Sequence, residues 1–368
     1  MVRAKEIISF LDIMAPPSLA EDWDNVGLLV GSKEKEIRRV LLCLDVTTKV
    51  VEEAISKKVD MIIAHHPVIF KELKRVTEDN LQSKLVYKLI RNDISVFAAH
   101  TNLDVAPKSI NMRLAKLLDL ENIENLSCYK KEKLFKLAVY TPVESGDKVR
   151  NAMCEAEAGW VGNYKNCTFE SKGTGTFMPL EGTNPYIGAK GKLAKVDEVK
   201  IETIVPEHVL KKAIEDMLVV HPYEEVAYDV YALENGGFEY GLGTVGVLKK
   251  PYDFSDFIDY IKKCLLLKEV RYTVNPPPSV KKIAIFCGSF DADYANYVKK
   301  HGVDVLITGD LKHHIAIDLI EDEICAIDCG HYGTEKVVVE LFKEMLDGSF
   351  QDVEFIESES GENPIITI

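Results

Sequence analysis

Apolar runs that end in polar side chains limit this chain to few architectures. "RRVLLCLDV", "VDMIIAHHP" and "ISVFAAHTNLD" recur in the first third, separated by the helical patterns "TKVVEEAISKK" and "SKLVYKLIRN". A strand that is apolar on both faces must be covered on both faces, so these runs predict an α/β fold with a largely parallel or mixed sheet. The pattern returns near the end as "KKIAIFCGS", the helix "DADYANYVKKHG", and "VDVLITGDLKHH". The order (apolar strand, turn, helix, Val-Asp, apolar strand, histidines) matches that of "VLLCLDVTTKVVEEAISKKVDMIIAHHP", with nearly equal spacing from Val40 to Val59 and from Ile283 to Val303. Either the two halves are related or both follow a common β-α-β grammar. In both, the strands deliver polar residues at their carboxyl ends, where open α/β sheets bind ligands.

The 368 residues exceed one ordinary core. A different texture occupies 128–237: the strand "KLFKLAVYTP", a helix from "SGDKVRNAMCEAEAGWVGNY", a glycine-rich stretch, the helix "EHVLKKAIEDMLVV", and "HPYEEVAYDVYAL". That order suggests a ferredoxin-like α+β domain. The expected organisation is one α/β domain of two similar halves with mixed sheets, 1–127 and 238–368, interrupted by the insert 128–237.

Composition narrows the function classes. The formal charge is −14, from 59 acidic and 45 basic residues, and the lysine pairs at 130, 211 and 281 are scattered. The net field repels nucleic acid, which argues against that partner. No apolar stretch is long enough to span a bilayer, and the opening "MVRAKEIISFLDIMAPP" lacks the apolar core of a signal peptide. The eight cysteines form no C-x-x-C pair and lie mostly in apolar runs, as thiols of a reducing compartment do. A cytoplasmic protein without a membrane partner is expected. Cys325 and Cys329, near a histidine in "ICAIDCGH", could be soft metal ligands, but no second cysteine pair supports them.

Six of the nine histidines fall at the ends of expected strands: His65, His66, His100, His313, His314 and His331. "IIAHHP" offers His65 and His66, "FAAHTNLD" adds His100 and Asp104, and "ICAIDCGHYGTEK" adds His331 and Glu335. A helical turn would bring His331 and Glu335 to one face. Imidazoles with carboxylates suit zinc first, and also iron, manganese or cobalt. The adjacent pair His65 and His66 makes sense if each serves a different ion, with Asp104 or Glu335 bridging two divalent metals. The residual positive charge of such a centre invites hydroxide, phosphate or another small anionic ligand. The competing reading, that these histidines cap strand ends, accounts for one of them more easily than for a group at three strand ends.

Other motifs are less specific. "GLGTVGVL" lacks the helix that a dinucleotide site needs. "CGSFDAD" could bind phosphate or simply start a helix. His221, Glu224 and Glu225 in "HPYEEVAYD" could bind metal or form an exposed turn.

Together, "WDNVGLLVG", "IIAHHPVIF", "AAHTNLDVA", "VDVLITGDLKHH" and "DCGHYGTEK" resemble the NIF-three-like family, labelled GTP cyclohydrolase 1 type 2 homologues. "GTFMPLEGTNPYIG" and "HPYEEVAYDVY" resemble its longer branch, whose insert is similar to CutA and PII-like domains. The resemblance implies a metal-binding hydrolase with a two-metal site on His65, His66, Asp104, His331 and Glu335. It also implies a ring-shaped homohexamer with those sites facing an internal cavity. "CGSFDAD" departs from the family's Gly-Gly-Ser-Gly turn at Cys287 and Phe290. Three functions follow as expectations: opening of a purine ring with His100 or His314 as proton donor, phosphoester hydrolysis of a nucleotide, or metal binding and ligand sensing without turnover.

Overall fold

A computed structural model describes residues 1–366. The chain forms two compact units, one from Met1–Tyr129 and the chain from Tyr240 onward, the other from Lys130–Glu239.

The first unit holds two mixed sheets, one built around four adjacent parallel strands and the other around three. In one, Glu354–Glu357, Arg39–Cys43, Met61–Ala64 and Ser95–Ala98 run parallel, and Gly27–Val30 closes the edge antiparallel. In the other, Ser279–Ser289, Val305–Gly309 and Cys325–Asp328 run parallel, flanked by Arg271–Tyr272 on one side and Glu239–Asp253 and Leu120–Lys131 on the other. Side-chain alternation along these strands feeds two faces. Met61 and Ile63 join a large core that also takes Ile283, Ile285, Val305 and Ile307 from the second sheet, so both sheets share one apolar interior. Ile62 and Ala64 pack instead with Val51, Ala54 and Leu89 of the crossover helices. Ala284 and Phe286 face Val298 and Leu319 in the same way.

Local signals start the helices where the strands need them. Thr47 caps Thr48–Ser56, Asn80 caps Leu81–Arg91, and Ser109 caps Ile110–Leu117, each side-chain oxygen accepting an early backbone N–H. No helix among the described residues is long and apolar enough to cross a membrane.

The second unit is a four-stranded antiparallel sheet with spatial order Tyr228–Ala232, Leu134–Pro142, Ala194–Pro206, Thr168–Phe177. Counted along the chain this is fourth-first-third-second. Helices Gly146–Glu155 and Glu207–Val220 supply Val149, Met153, Ala213 and Met217 against Leu137, Val139 and Ile201 of the sheet, a core drawn wholly from this unit.

Candidate metal centre

The parallel strands of the two sheets of the first unit end at one group of side chains. His65 and His66 follow Met61–Ala64, His100 follows Ser95–Ala98, and His331 follows Cys325–Asp328. The rings of His65 and His66 lie 5.0 Å apart; His100 is 5.1 and 5.3 Å from them, and His331 is 5.4 Å from His66. Asp104 closes the short helix Thr101–Asp104 and Glu335 closes His331–Glu335. The two sheets therefore present the same device, a histidine followed four residues later by a carboxylate across one helical turn. In the sequence His100 and Asp104 have the spacing of His331 and Glu335, but only the fold makes them counterparts.

The hydrogen bonds of the four rings fix their chemistry. Nδ1 of His65 is 2.8 Å from the Ala99 carbonyl, which can only accept, so this nitrogen carries the proton and Nε2 keeps its lone pair. Nδ1 of His66 meets Asp45 Oδ1 at 2.8 Å, that of His331 meets Asp310 Oδ2 at 2.8 Å, and that of His100 meets Asp24 Oδ1 at 2.9 Å. Anchoring one ring nitrogen on an oxygen is the arrangement that orients metal-ligating histidines. The Nε2 atoms of His65, His66 and His331 turn toward Asp104 and Glu335, and ligand atoms of His65, His66 and His100, and of His66, His331 and Glu335, gather within 4.8 Å of one another.

Two buried atoms at the centre lack any hydrogen-bond partner. His65 is fully buried and its Nε2 is one of them; Asp104 Oδ1, at 3.8 Å, is too far to satisfy it. Glu335 Oε2 is the other: His66 and His331 Nε2 approach it to 3.1 and 2.8 Å, but without hydrogen-bond geometry. Orphaned buried polar groups are costly, and a cation that displaced the imidazole protons would satisfy them. The donor set of imidazole and carboxylate fits zinc or another divalent ion of the same series.

Charge deepens this character. Burial holds His65 neutral, with its pKa down to about 3. Burial also opposes charge on His66, but contacts with Asp45 and Glu335 outweigh it and lift the pKa to about 10. The approach of Glu335, against burial and with help from Asp310, lifts His331 to about 9. Burial, then the neighbouring Glu335, pushes Asp104 up to about 7. Burial would raise Glu335 too, yet His331 and His66 hold it well below the usual carboxylate range.

The turn in "CGSFDAD" belongs to this place. Gly288 has φ +65°, donates its N–H to Thr334 Oγ1, and leaves room for Glu335, whose Oε1 would lie 2.3 Å from an added Cβ. The Cys287 thiol stands 3.5 Å from Asp104 Oδ1, and its backbone N–H donates to Asn111. Asp310, with φ +44°, reaches His331 from a backbone region that is strained for any residue but glycine. Sequence reasoning missed Asp24, Asp45 and Asp310 as anchors. Asp45 and Asp310 do follow apolar strands, the same signal that marks the histidines.

Several sequence candidates fall elsewhere. His313 and His314 are exposed on the first turn of His313–Glu321 and do not continue the strand Val305–Gly309, so His314 joins none of the site's polar contacts. Cys325 and Cys329 are buried in the apolar core, where burial keeps both protonated. His221 is occupied at both nitrogens: Nε2 bonds the Tyr140 carbonyl and Nδ1 accepts from the Tyr223 N–H.

Two mixed sheets with a histidine and carboxylate cluster at their strand ends define an α/β protein whose clustered side chains could hold a metal ion. A family model, Duf34/NIF3 (NGG1p interacting factor 3), matches residues 2–364, and the chain belongs to that family. It is 41% identical over 367 residues to a Bacillus subtilis protein named GTP cyclohydrolase 1 type 2 homolog, covering 99% of this chain and 98% of the relative. Among solved structures it is similar to a Bacillus cereus protein related to NIF3, with TM-score 0.88, 40% identity and coverage of 100% and 99%. A Staphylococcus aureus structure follows, with TM-score 0.74, 31% identity and the same coverage.

Proposed function

We propose that His65, His66, Asp104, His331 and Glu335 hold two divalent cations, zinc first among them, and that the protein is a metal-dependent hydrolase acting on a nucleotide. One observation carries the metal reading: four clustered histidines each commit Nδ1 to an oxygen, and His65, His66 and His331 bring Nε2 to Asp104 and Glu335, where two buried atoms lack hydrogen-bond partners. A bound divalent pair supplies Lewis acidity and an activated water. The chain's own residues would do the rest. Asp45 and Asp310 hold the ligand rings in place, and Asp104 and Glu335 offset the charge of the cations. His100 is the residue placed to move a proton. Its Nδ1 is fixed by Asp24, whose pKa is down at about 2 because bonds from His100 and Thr101 outweigh burial. With Nδ1 so committed, Nε2 is the nitrogen of His100 left for the chemistry, the orienting logic of a catalytic histidine.

The substrate class rests on two supports. The relatives carry the name GTP cyclohydrolase 1 type 2 homolog. Trp23 and Phe70, both largely exposed with ring centroids 5.7 Å apart, stand 6.0 and 6.5 Å from the His100 ring and offer a surface on which a base can stack. The test is turnover on a panel of purine nucleotides with defined metal. Hydrolysis should require the metal and vanish in folded His66→Ala and Asp104→Ala proteins. Equal trace activity in all three would assign it to a contaminant.

A metal-dependent ligand sensor is the second reading, favoured by the 130–239 unit with its own core and its own cavity. Its sheet order supports a ferredoxin-like fold related to CutA and PII-like domains. Tight nucleotide binding without turnover, lost in the same two variants, would select it.

A further inference from the structure

The two motifs of the insert that the metal centre does not use, "GTFMPLEGTNPYIG" and "HPYEEVAYD", meet around one cavity of about 320 Å³. That volume lies at the lower end of small-molecule sites. Three features show it is built. The loop after Thr168–Phe177 folds back on itself, with Gly191 N–H on the Pro179 carbonyl at 2.8 Å, and is tied across the cavity where Asn184 N–H donates to Glu224 at 2.9 Å. His221, locked between the Tyr140 carbonyl and the Tyr223 N–H, fixes the turn that carries Tyr223. Gly175 leaves space for the Glu198 carboxylate, which would lie 2.1 Å from a Cβ there and which accepts the Tyr223 hydroxyl at 2.8 Å.

The lining has a definite chemistry. Tyr140, Phe177, Tyr186 and Tyr223 contribute rings, with Phe177 and Tyr186 centred 5.7 and 6.3 Å from Tyr223. Glu198, Glu224 and Glu225 contribute carboxylates, and no lysine or arginine is among the described lining residues. Ring faces are electron-rich and attract cations, most strongly where water is excluded. Lys200 stands 5.9 Å over the Tyr140 ring but is paired with Glu202 at 3.1 Å, so the lining carboxylates keep an excess of negative charge that adds the same preference and repels phosphate. Glu225 carries no ion pair or hydrogen bond among the described residues, which leaves its charge for a ligand.

We propose that this cavity binds a small organic ammonium compound, a protonated amine or a quaternary ammonium. The rings would surround the cationic head, and Glu225 and Glu198 would neutralise it. The site is independent of the metal centre and does not rest on its function.

The test uses the full-length protein and calorimetry with choline, n-butylamine and putrescine as probes and guanosine as the neutral aromatic control. At least one amine should bind with a dissociation constant below about 1 mM, and guanosine should not compete. Glu225→Lys, at an exposed position where folding is not at stake, should weaken binding about threefold or more, as reversal of a solvent-exposed charge beside a bound cation does. Tyr223→Phe, which keeps the ring, should retain most of the affinity, and Tyr223→Leu should lose it. His66→Ala, which alters the metal centre, should leave it unchanged. No binding by any of the three amines at about 10 mM, ten times the dissociation constant expected, would overturn the proposal. Binding of guanosine in preference to the amines, or amine binding indifferent to Glu225→Lys, would overturn it equally.

Discussion

Gly288 is the position where a single methyl group should report on the centre. Its φ of +65° disfavours any side chain, and an added Cβ would fall 2.3 Å from Glu335 Oε1. Gly288→Ala should therefore displace Glu335 and cost about 1–3 kcal/mol of stability through backbone strain. Elemental analysis of the folded variant should show metal content well below wild type; unchanged content would mean Glu335 is not a ligand. Protons compete for the same atoms. Because the pKa values of His66 and His331 are raised to about 10 and 9, both imidazoles are charged at neutral pH, and a cation must displace those protons. Apparent metal affinity should climb as pH rises toward 9–10 and fall below it, and calorimetry near pH 7 should show an enthalpy that depends on the buffer's ionisation heat. An enthalpy identical in phosphate and Tris would contradict these protonation states. At this scale the sequence was informative where chemistry is rare. Histidines at apolar strand ends are unusual enough to notice. Asp24, Asp45 and Asp310 were not, because aspartates are common, and even where two of them follow apolar strands nothing local shows which ring Nδ1 each one meets.

Among the elements, strand type was the most legible feature and strand ends the least. "MIIA" and "SVFA" are buried on both faces, as unbroken apolar runs require. The region "LITGDLKHH" misled because the strand stops at Gly309 and Lys312 precedes a helix, so His313 and His314 turn outward where a strand reading placed them beside a ligand. Their resemblance to His65 and His66 is one of order in the chain only; the true counterparts are His100 with Asp104 and His331 with Glu335. Pairing across the two halves needs the fold, since nothing in a linear spacing aligns residues of separate sheets. The insert is the element whose independence can be tested. Its core is drawn from 137–217 alone. A protein with 127 joined to 238 by a short flexible linker should fold cooperatively and keep its full metal content. Insoluble or metal-free product from several linker lengths would show that the two parts depend on one another.

On the scale of the whole molecule, the two similar α/β halves explain why the histidines and carboxylates of the proposed cation site come together here. Each half of the first unit brings three parallel strands to the shared core and carries a histidine and a carboxylate on a short helix beyond its third strand. The centre is assembled only when both halves fold, so sequence could name its parts without showing that they meet. The net charge of −14 is consistent with a site that concentrates cations, and by itself it says nothing of their place. The central claim is that this meeting point holds a pair of metals. The most direct measurement is elemental analysis of protein purified without a metal-affinity tag, alongside the His66→Ala protein. About two divalent ions per chain are expected in wild type, with zinc foremost, and a clear loss in the variant. Well under one ion per chain in wild type, or the same content in both proteins, would contradict the account.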